Sequence, residues 1–338
     1  MKLYAGIDLH SNNSVVAIID EQDRIVFEKR IANDLQHILM SLARFKQRLV
    51  GVVVESTFNW YWLVDGLMEA GYRVHLANPA AIEQYSGLKY SADQHDARWL
   101  AHLLRLKILR EGYIYPREAR AVRDLMRRRT QLVQTRTSQL LAMQTQFMRS
   151  QAQMPRCAQL KGMLPEELIA RVRDPHVASA LCANLAVVQT LNQEISRLEH
   201  EVLSQVQLAA QFAPLLSIPG VGRILALVIM LETGAIERFG TVGDFASYAR
   251  CVDSKRLSND KKKGEGNRKC GNAYLAWAFV EAAHYARRYN ARVRRFYERK
   301  AAKTNKIVAI KATAHKLARA AYHVMRERVP FDETRAFA

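Results

Sequence analysis

The chain has 338 residues, 49% of them hydrophobic, which is enough apolar material for two domains with separate cores and is not the composition of a disordered polyelectrolyte. Lysine and arginine outnumber aspartate and glutamate by 51 to 32, giving a formal charge of +19, and such an excess selects polyanionic partners over small neutral ligands. There is no run of about 18 apolar residues, Asp8 interrupts MKLYAGIDLHS too early for a signal peptide, and the four cysteines form no C-x-x-C pair. These features predict a cytoplasmic nucleic-acid partner and no membrane, zinc site or disulfide framework.

Three short β-branched runs, LYAGIDL, SVVAIID and IVFEKRIA, read as consecutive strands of a meander. A helical segment from Asp34 to Arg48 follows, then the strand LVGVVVES, a helix near Trp60 to Ala70, and the strand YRVHLAN closed by Pro79. This order is that of a ribonuclease-H-like sheet, although composition alone leaves other α/β layouts open. From Arg117 the strands vanish. REARAVRDLMRRRTQLVQTRTSQLLAMQTQF lacks proline and glycine and predicts one long helix with an arginine-heavy face, on which Arg127, Arg128 and Arg129 are candidate nucleic-acid contacts. Leu181, Leu185, Val188, Leu191, Ile195, Leu198 and Val202 alternate in steps of three and four, the seam of a coiled coil. Two such helices predict an antiparallel arm for oligomerisation or for gripping a duplex.

Next, Pro-Gly-Val-Gly at 219 to 222 resembles the turn of helix-hairpin-helix DNA binders, in which backbone N–H groups at Gly220 and Gly222 would meet a phosphate; an ordinary glycine turn is the competing reading. A short helix near Asp244 to Ala249 precedes RLSNDKKKGEGNRKCGN, which composition describes as an exposed, mobile, positive loop. One basic helix from Asn272 to about Tyr297 closes the reading, its tail continuing through Lys300, Lys303, Lys306 and Lys311. No Gly-x-x-x-x-Gly-Lys loop occurs, which argues against ATP-driven function.

Acids are scarce, so those at strand ends stand out. Asp8 breaks AGIDLH, Glu55 ends VGVVVES, and Asp93 and Asp96 are three apart at a helix start and share a face. Each has a structural explanation by itself, as a turn residue, a strand terminator or a helix N-terminal charge. Together they predict converging carboxylates, whose repulsion a hard divalent cation such as Mg²⁺ would relieve. His95 reads as a helix-surface histidine, and Trp60, Trp62 and Trp99 as core aromatics more than base-stacking platforms. Around Ser258, the cations Lys255, Arg256, Lys261, Lys262 and Lys263 would hold a phosphodiester. The loop has no histidine to activate the hydroxyl, so composition favours a serine that only hydrogen-bonds to phosphate.

The ordered set GID at Asp8, VVES at Glu55, AD-QH-DA at Asp93 and Asp96, a helical arm, IPGVG, ERF and a serine loop leading into K-x-GN-x-x-L resembles the DEDD transposases of bacterial insertion sequences and the related Piv-type invertases, over nearly the whole chain. The resemblance implies an α/β RuvC-like, ribonuclease-H-fold domain (1–116), a helical coiled-coil arm (117–210) and an all-α C-terminal serine transposase domain (211–338). It also implies Mg²⁺ on Asp8, Glu55, Asp93 and Asp96, and Ser258 as a nucleophile forming a covalent link to DNA, with Ser254 as its rival. The partners it implies are donor and target DNA, a structured noncoding guide RNA, and further copies of the chain, as dimers pairing into a tetramer in the bacterial cytoplasm. Where many relatives read G-L-x-P and S-G, this chain reads RCVD and Ser258-Asn259, and asparagine tolerates the left-handed backbone that glycine would supply. Two other functions compete: a metal-dependent nuclease or Holliday-junction resolvase in which Ser258 is no nucleophile, and an architectural nucleic-acid binder, which leaves the four acids without purpose.

Overall fold

The computed structural model describes residues 1–82, 93–206, 210–252, 255–265 and 270–337, excluding the side chains at 93, 94, 255–258, 262 and 265. The chain forms two compact units, one of residues 1–117 with 254–270 and one of 118–253 with 271–338. The serine segment therefore belongs to the unit that holds the sheet.

The first unit is built on β1 (Leu3–Leu9), β2 (Asn13–Ile19), β3 (Ile25–Ala32), β4 (Leu49–Glu55) and β5 (Val74–Ala77), in the order β3-β2-β1-β4-β5. The first three strands run as an antiparallel meander, while β4 and β5 add in parallel. Parallel addition needs crossovers, which α1 (Leu35–Ala43) and α2 (Tyr61–Glu69) supply, and this mixed sheet followed by helices agrees with a ribonuclease-H-like domain leading into a helical region. The side chain of Asp34 accepts from His37 N–H at 2.9 Å and starts α1, and a 3-10 turn at Lys46–Arg48 ends the expected helical segment. Strands β1, β2 and β4 are nearly continuous buried runs because one face packs on α1 and α2 residues and the other on α3 (Asp93–Arg105).

Gly6 explains how close α3 comes. A Cβ there would lie 2.0 Å from Ala97 O and 2.8 Å from Ala101 N, so the helix backbone rests directly on β1, with fully buried Ala97 and Ala101 presenting minimal side chains to it. Arg98 adds a pair of hydrogen bonds to Glu28 on β3, and His102 and Arg105 both bind Asp23 in the β2–β3 turn. Trp99 stacks between His95 and His102, and Trp60 and Trp62 pack against the core, so all three are at least partly structural.

The segment expected as a mobile loop contains a β-hairpin, β6 (Lys255–Ser258) with β7 (Lys261–Glu265). Its two-residue turn, Asn259-Asp260, has φ of 52° and 57°; two consecutive left-handed residues form the turn whose twist matches a hairpin. Composition concealed this because lysines dominate the strands, while Asn-Asp carries the turn.

In the second unit, α4 (Arg117–Gln151) is followed by α5 (Cys157–Lys161), α6 (Pro165–Arg171) and α7 (Pro175–Val206). Arg129 pairs with Glu199 and Arg136 with Asn192, while Leu140, Met143 and Phe147 share a core with Leu181, Leu185 and Val188. Contact positions rise in α4 as they fall in α7, so the helices run antiparallel; this pair is what the structure provides of the expected coiled-coil arm. The root of the pair, through Met126, Val202 and Val206, joins the core formed by α8 (Phe212–Leu215), α9 (Arg223–Thr233), α10 (Val242–Tyr248), α11 (Ala273–Tyr289), α12 (Ala291–Lys303), α13 (Lys306–Glu327) and α14 (Glu333–Ala336). The single basic helix expected from Asn272 to Tyr297 is instead two. Asn290 adopts extended backbone and caps α12 through Val293 N–H, ending α11 at Tyr289. Among the described residues no helix is long and apolar enough to cross a membrane.

Candidate functional site

Asp8 lies on β1 and Glu55 at the end of β4, and the register pairing Ile7 with Val54 puts the two acids at successive neighbouring positions. Strand alternation turns Asp8 to the same face as Gly6, the face that α3 covers, and the Gly6–Ala97 approach brings Asp96 to it. Asp8 is 5% exposed, and its carboxylate lies 3.0 Å from His10 Nε2. The loop beyond β1 is pinned because His10 O accepts from Asn33 Nδ2 and Asn59 Nδ2, at 2.9 and 3.0 Å.

Glu55 registers the convergence. Burial, the negative charges of Asp8 and Asp96, and a hydrogen bond to Asp8 push its carboxyl up to about 7, with His10 acting in the opposite direction. Asp8 and Asp96 are thus near enough to act on Glu55. Asp93 begins α3, but its side chain lies outside the described residues. Among the described residues no group of three or more histidine, cysteine or acidic side chains is arranged as a metal cage. The chemistry of the three carboxylates nevertheless suits a hard cation: all are oxygen donors, and the negative charge of Asp8 and Asp96 raises the proton affinity of Glu55. His10 escaped the sequence reading. Its signal is Asp-x-His at a strand end, an i, i+2 spacing that keeps both side chains on one face.

Ser258 occupies the last position of β6, opposite Lys261, and its side chain lies outside the described residues, as do those of Lys255, Arg256 and Lys262. Lys261 and Lys263 are exposed, and Ser254 lies outside the described residues altogether. At the return from the hairpin, Cys270 Sγ contacts Ala80 O at 3.5 Å within the first unit. Gly271 has φ of +81°, and a Cβ there would lie 2.7 Å from Tyr248 O, so this turn requires glycine.

Asn272 then roots α11. Its Oδ1 accepts from Tyr274 and Leu275 N–H at 2.9 and 3.1 Å, and its Nδ2 donates to buried Glu232 at 2.7 Å. Glu232 in turn receives two hydrogen bonds from Arg127, at 2.6 and 2.8 Å. Of the arginine triplet, Arg127 and Arg129 are engaged by Glu232 and Glu199, while exposed Arg128 bonds only weakly to Gln131 at 3.3 Å. The two hairpin glycines also differ in role. Gly220, at φ +80°, would bring a Cβ within 2.1 Å of Ala282 O, so it is the contact point of the turn on α11; exposed Gly222 has open space around it and begins α9 without a side-chain cap.

Two sequence families match the chain in order. Residues 5–149 match the DEDD transposase family of IS110 type, and residues 213–298 match the family described as "Transposase IS116/IS110/IS902 family". A family 20 transposase of Pseudomonas aeruginosa PAO1 is 26% identical over 245 residues, covering 66% of this chain and 67% of its own. The transposase y4qE of Sinorhizobium fredii NGR234 is 24% identical over 233 residues, covering 69% and 57%.

Proposed function

Since the chain belongs to the IS110 family of DEDD-type transposases, we propose that it moves its insertion sequence by a covalent serine step, assisted by a divalent cation held on the sheet. The observation that carries this reading is the Asp8–Glu55–Asp96 convergence, with Glu55 pushed up to about 7 by burial and by its acidic neighbours. Asp8, Glu55, Asp96 and, by family likeness, Asp93 would hold Mg²⁺, which when bound supplies charge stabilisation to a phosphoryl oxygen.

The chain's own residues do the rest. Exposed Lys261 and Lys263, with Lys255, Arg256 and Lys262, hold the scissile phosphate beside Ser258. Bond formation between Ser258 Oγ and phosphorus accompanies loss of one phosphorus–deoxyribose oxygen bond; the serine proton ends on the departing sugar oxygen, and the reverse exchange joins a new strand. The tight Asn259-Asp260 turn fixes the serine at the hairpin end. In the second unit, Gly222 and Arg128 would make phosphate contacts of their own, and a structured noncoding RNA pairing with donor and target DNA would supply sequence choice. The functional parts are the acid domain at 1–116, the arm at 117–210 and the C-terminal transposase domain at 211–338, whose serine segment falls in the first compact unit, working in dimers that pair into a tetramer.

Ser258→Ala separates this reading from a resolvase. It abolishes the covalent protein–DNA adduct on a denaturing gel while leaving DNA binding intact. An undiminished adduct refutes the assignment, and loss confined to Ser254→Ala transfers it to that residue.

A further inference from the structure

One face of α11 is left open by the core. Trp277, Tyr285 and Tyr289 stand at i, i+8 and i+12, a single stripe whose members are about 12 and 6 Å apart along the helix axis. They are 38%, 46% and 82% exposed, unusual for aromatic rings on a helix whose opposite face is fully buried alanine, leucine and phenylalanine. The stripe forms one wall of a groove of about 750 Å³, and the Pro219–Gly222 turn with the first residues of α9 forms the other. Gly220 sets the width by seating the turn on the α11 backbone beside Ala282, between the rings at 277 and 285.

We propose that this groove binds unpaired nucleotides, their bases stacking on Trp277, Tyr285 and Tyr289 and their phosphates facing Arg223. The inference rests on the nucleic-acid reading above and adds to it a site for single strands. An apolar partner protein would suit the rings, but the charge around them selects a polyanion: Arg223 is exposed at the groove, and exposed Arg288 directly precedes Tyr289 at the end of the stripe, in a chain of net charge +19. Glu281 is the acid in the lining, and it sits between rings, where a base would pass and not a phosphate. Exposed aromatic faces combined with cations are the recognition chemistry of unstacked single strands, since every base offers a π-face, whereas a duplex keeps its bases out of reach.

The test uses the full chain and fluorescence anisotropy with labelled oligo(U), oligo(dT) and a duplex of equal phosphate count. Trp277→Ala, and separately Tyr285→Ala with Tyr289→Ala, should weaken unpaired oligonucleotide binding about tenfold per ring while leaving the duplex within about twofold. The corresponding phenylalanine variants, which keep a stacking face, should bind as the parent does. A loss confined to oligo(U) identifies the source as RNA, and one confined to oligo(dT) as unpaired DNA; either supports the proposal. Equal losses for duplex and single strand, no loss at all, or a change only in oligomeric mass by light scattering would overturn it. A parent chain that binds none of the three probes refutes the nucleic-acid reading itself, a result distinct from unchanged binding by the ring variants.

Discussion

Replacing Glu55 by glutamine isolates the electrostatic cost of gathering the acids. A carboxyl raised from 4.5 to about 7 keeps its proton in the native state over a range where the unfolded chain has lost it. Native protein then binds more protons between those values, so this group leaves stability unchanged below pH 4.5 and lowers it as pH rises toward 7. The full interval corresponds to about 3 kcal/mol; the exposed part of the side chain reduces the usable figure to about 2 kcal/mol above pH 7.5. Glutamine has nearly the same shape and carries no charge. In chelator at pH 8, Glu55→Gln should therefore melt about 4–8 °C above the parent, and the difference should disappear near pH 4.5. Adding Mg²⁺ should raise the parent's melting temperature and move the variant much less, because relieving the repulsion is what the ion contributes. Differential scanning calorimetry across pH, with and without Mg²⁺, reads all three outcomes. A variant less stable than the parent at pH 8, or one that responds equally to Mg²⁺, would refute the account of the acids as a mutually repelling cluster.

Two substitutions probe the scaffold. Gly6→Ala places a methyl group inside the van der Waals radius of Ala97 O, so α3 must move; we expect a loss of about 1–3 kcal/mol in urea unfolding together with loss of recombination, and unchanged values for both would disprove the close-contact argument. Asn272→Ala removes the cap of α11 and one partner of buried Glu232, costing about 1–3 kcal/mol, and Asn272→Asp should be no better because it keeps the cap acceptor but sets a second carboxylate against Glu232. An aspartate variant as stable as the parent would show that the cap alone matters.

The sequence by itself determined the order of elements in the first unit and the identity of its acids. Alternating β-branched runs can hardly be anything but strands, and a carboxylate at the end of such a run is conspicuous in a chain with 32 acids against 51 bases. It likewise marked the two long helices and the Gly271-Asn272 turn. Local pattern could not show whether a given charge is free, because that depends on what a distant segment brings to it. Arg127 and Arg129 read alike with Arg128, yet Glu232 and Glu199, far along the chain, engage the outer two. The break at Asn290 was decided by competition between helix propensity and a side-chain cap, energies of similar size that packing of α12 against α13 resolves. The serine hairpin depended on tertiary placement too: the two-residue Asn259-Asp260 turn closes it, but only the folded chain assigns residues 254–270 to the same compact unit as Asp8, Glu55 and Asp96.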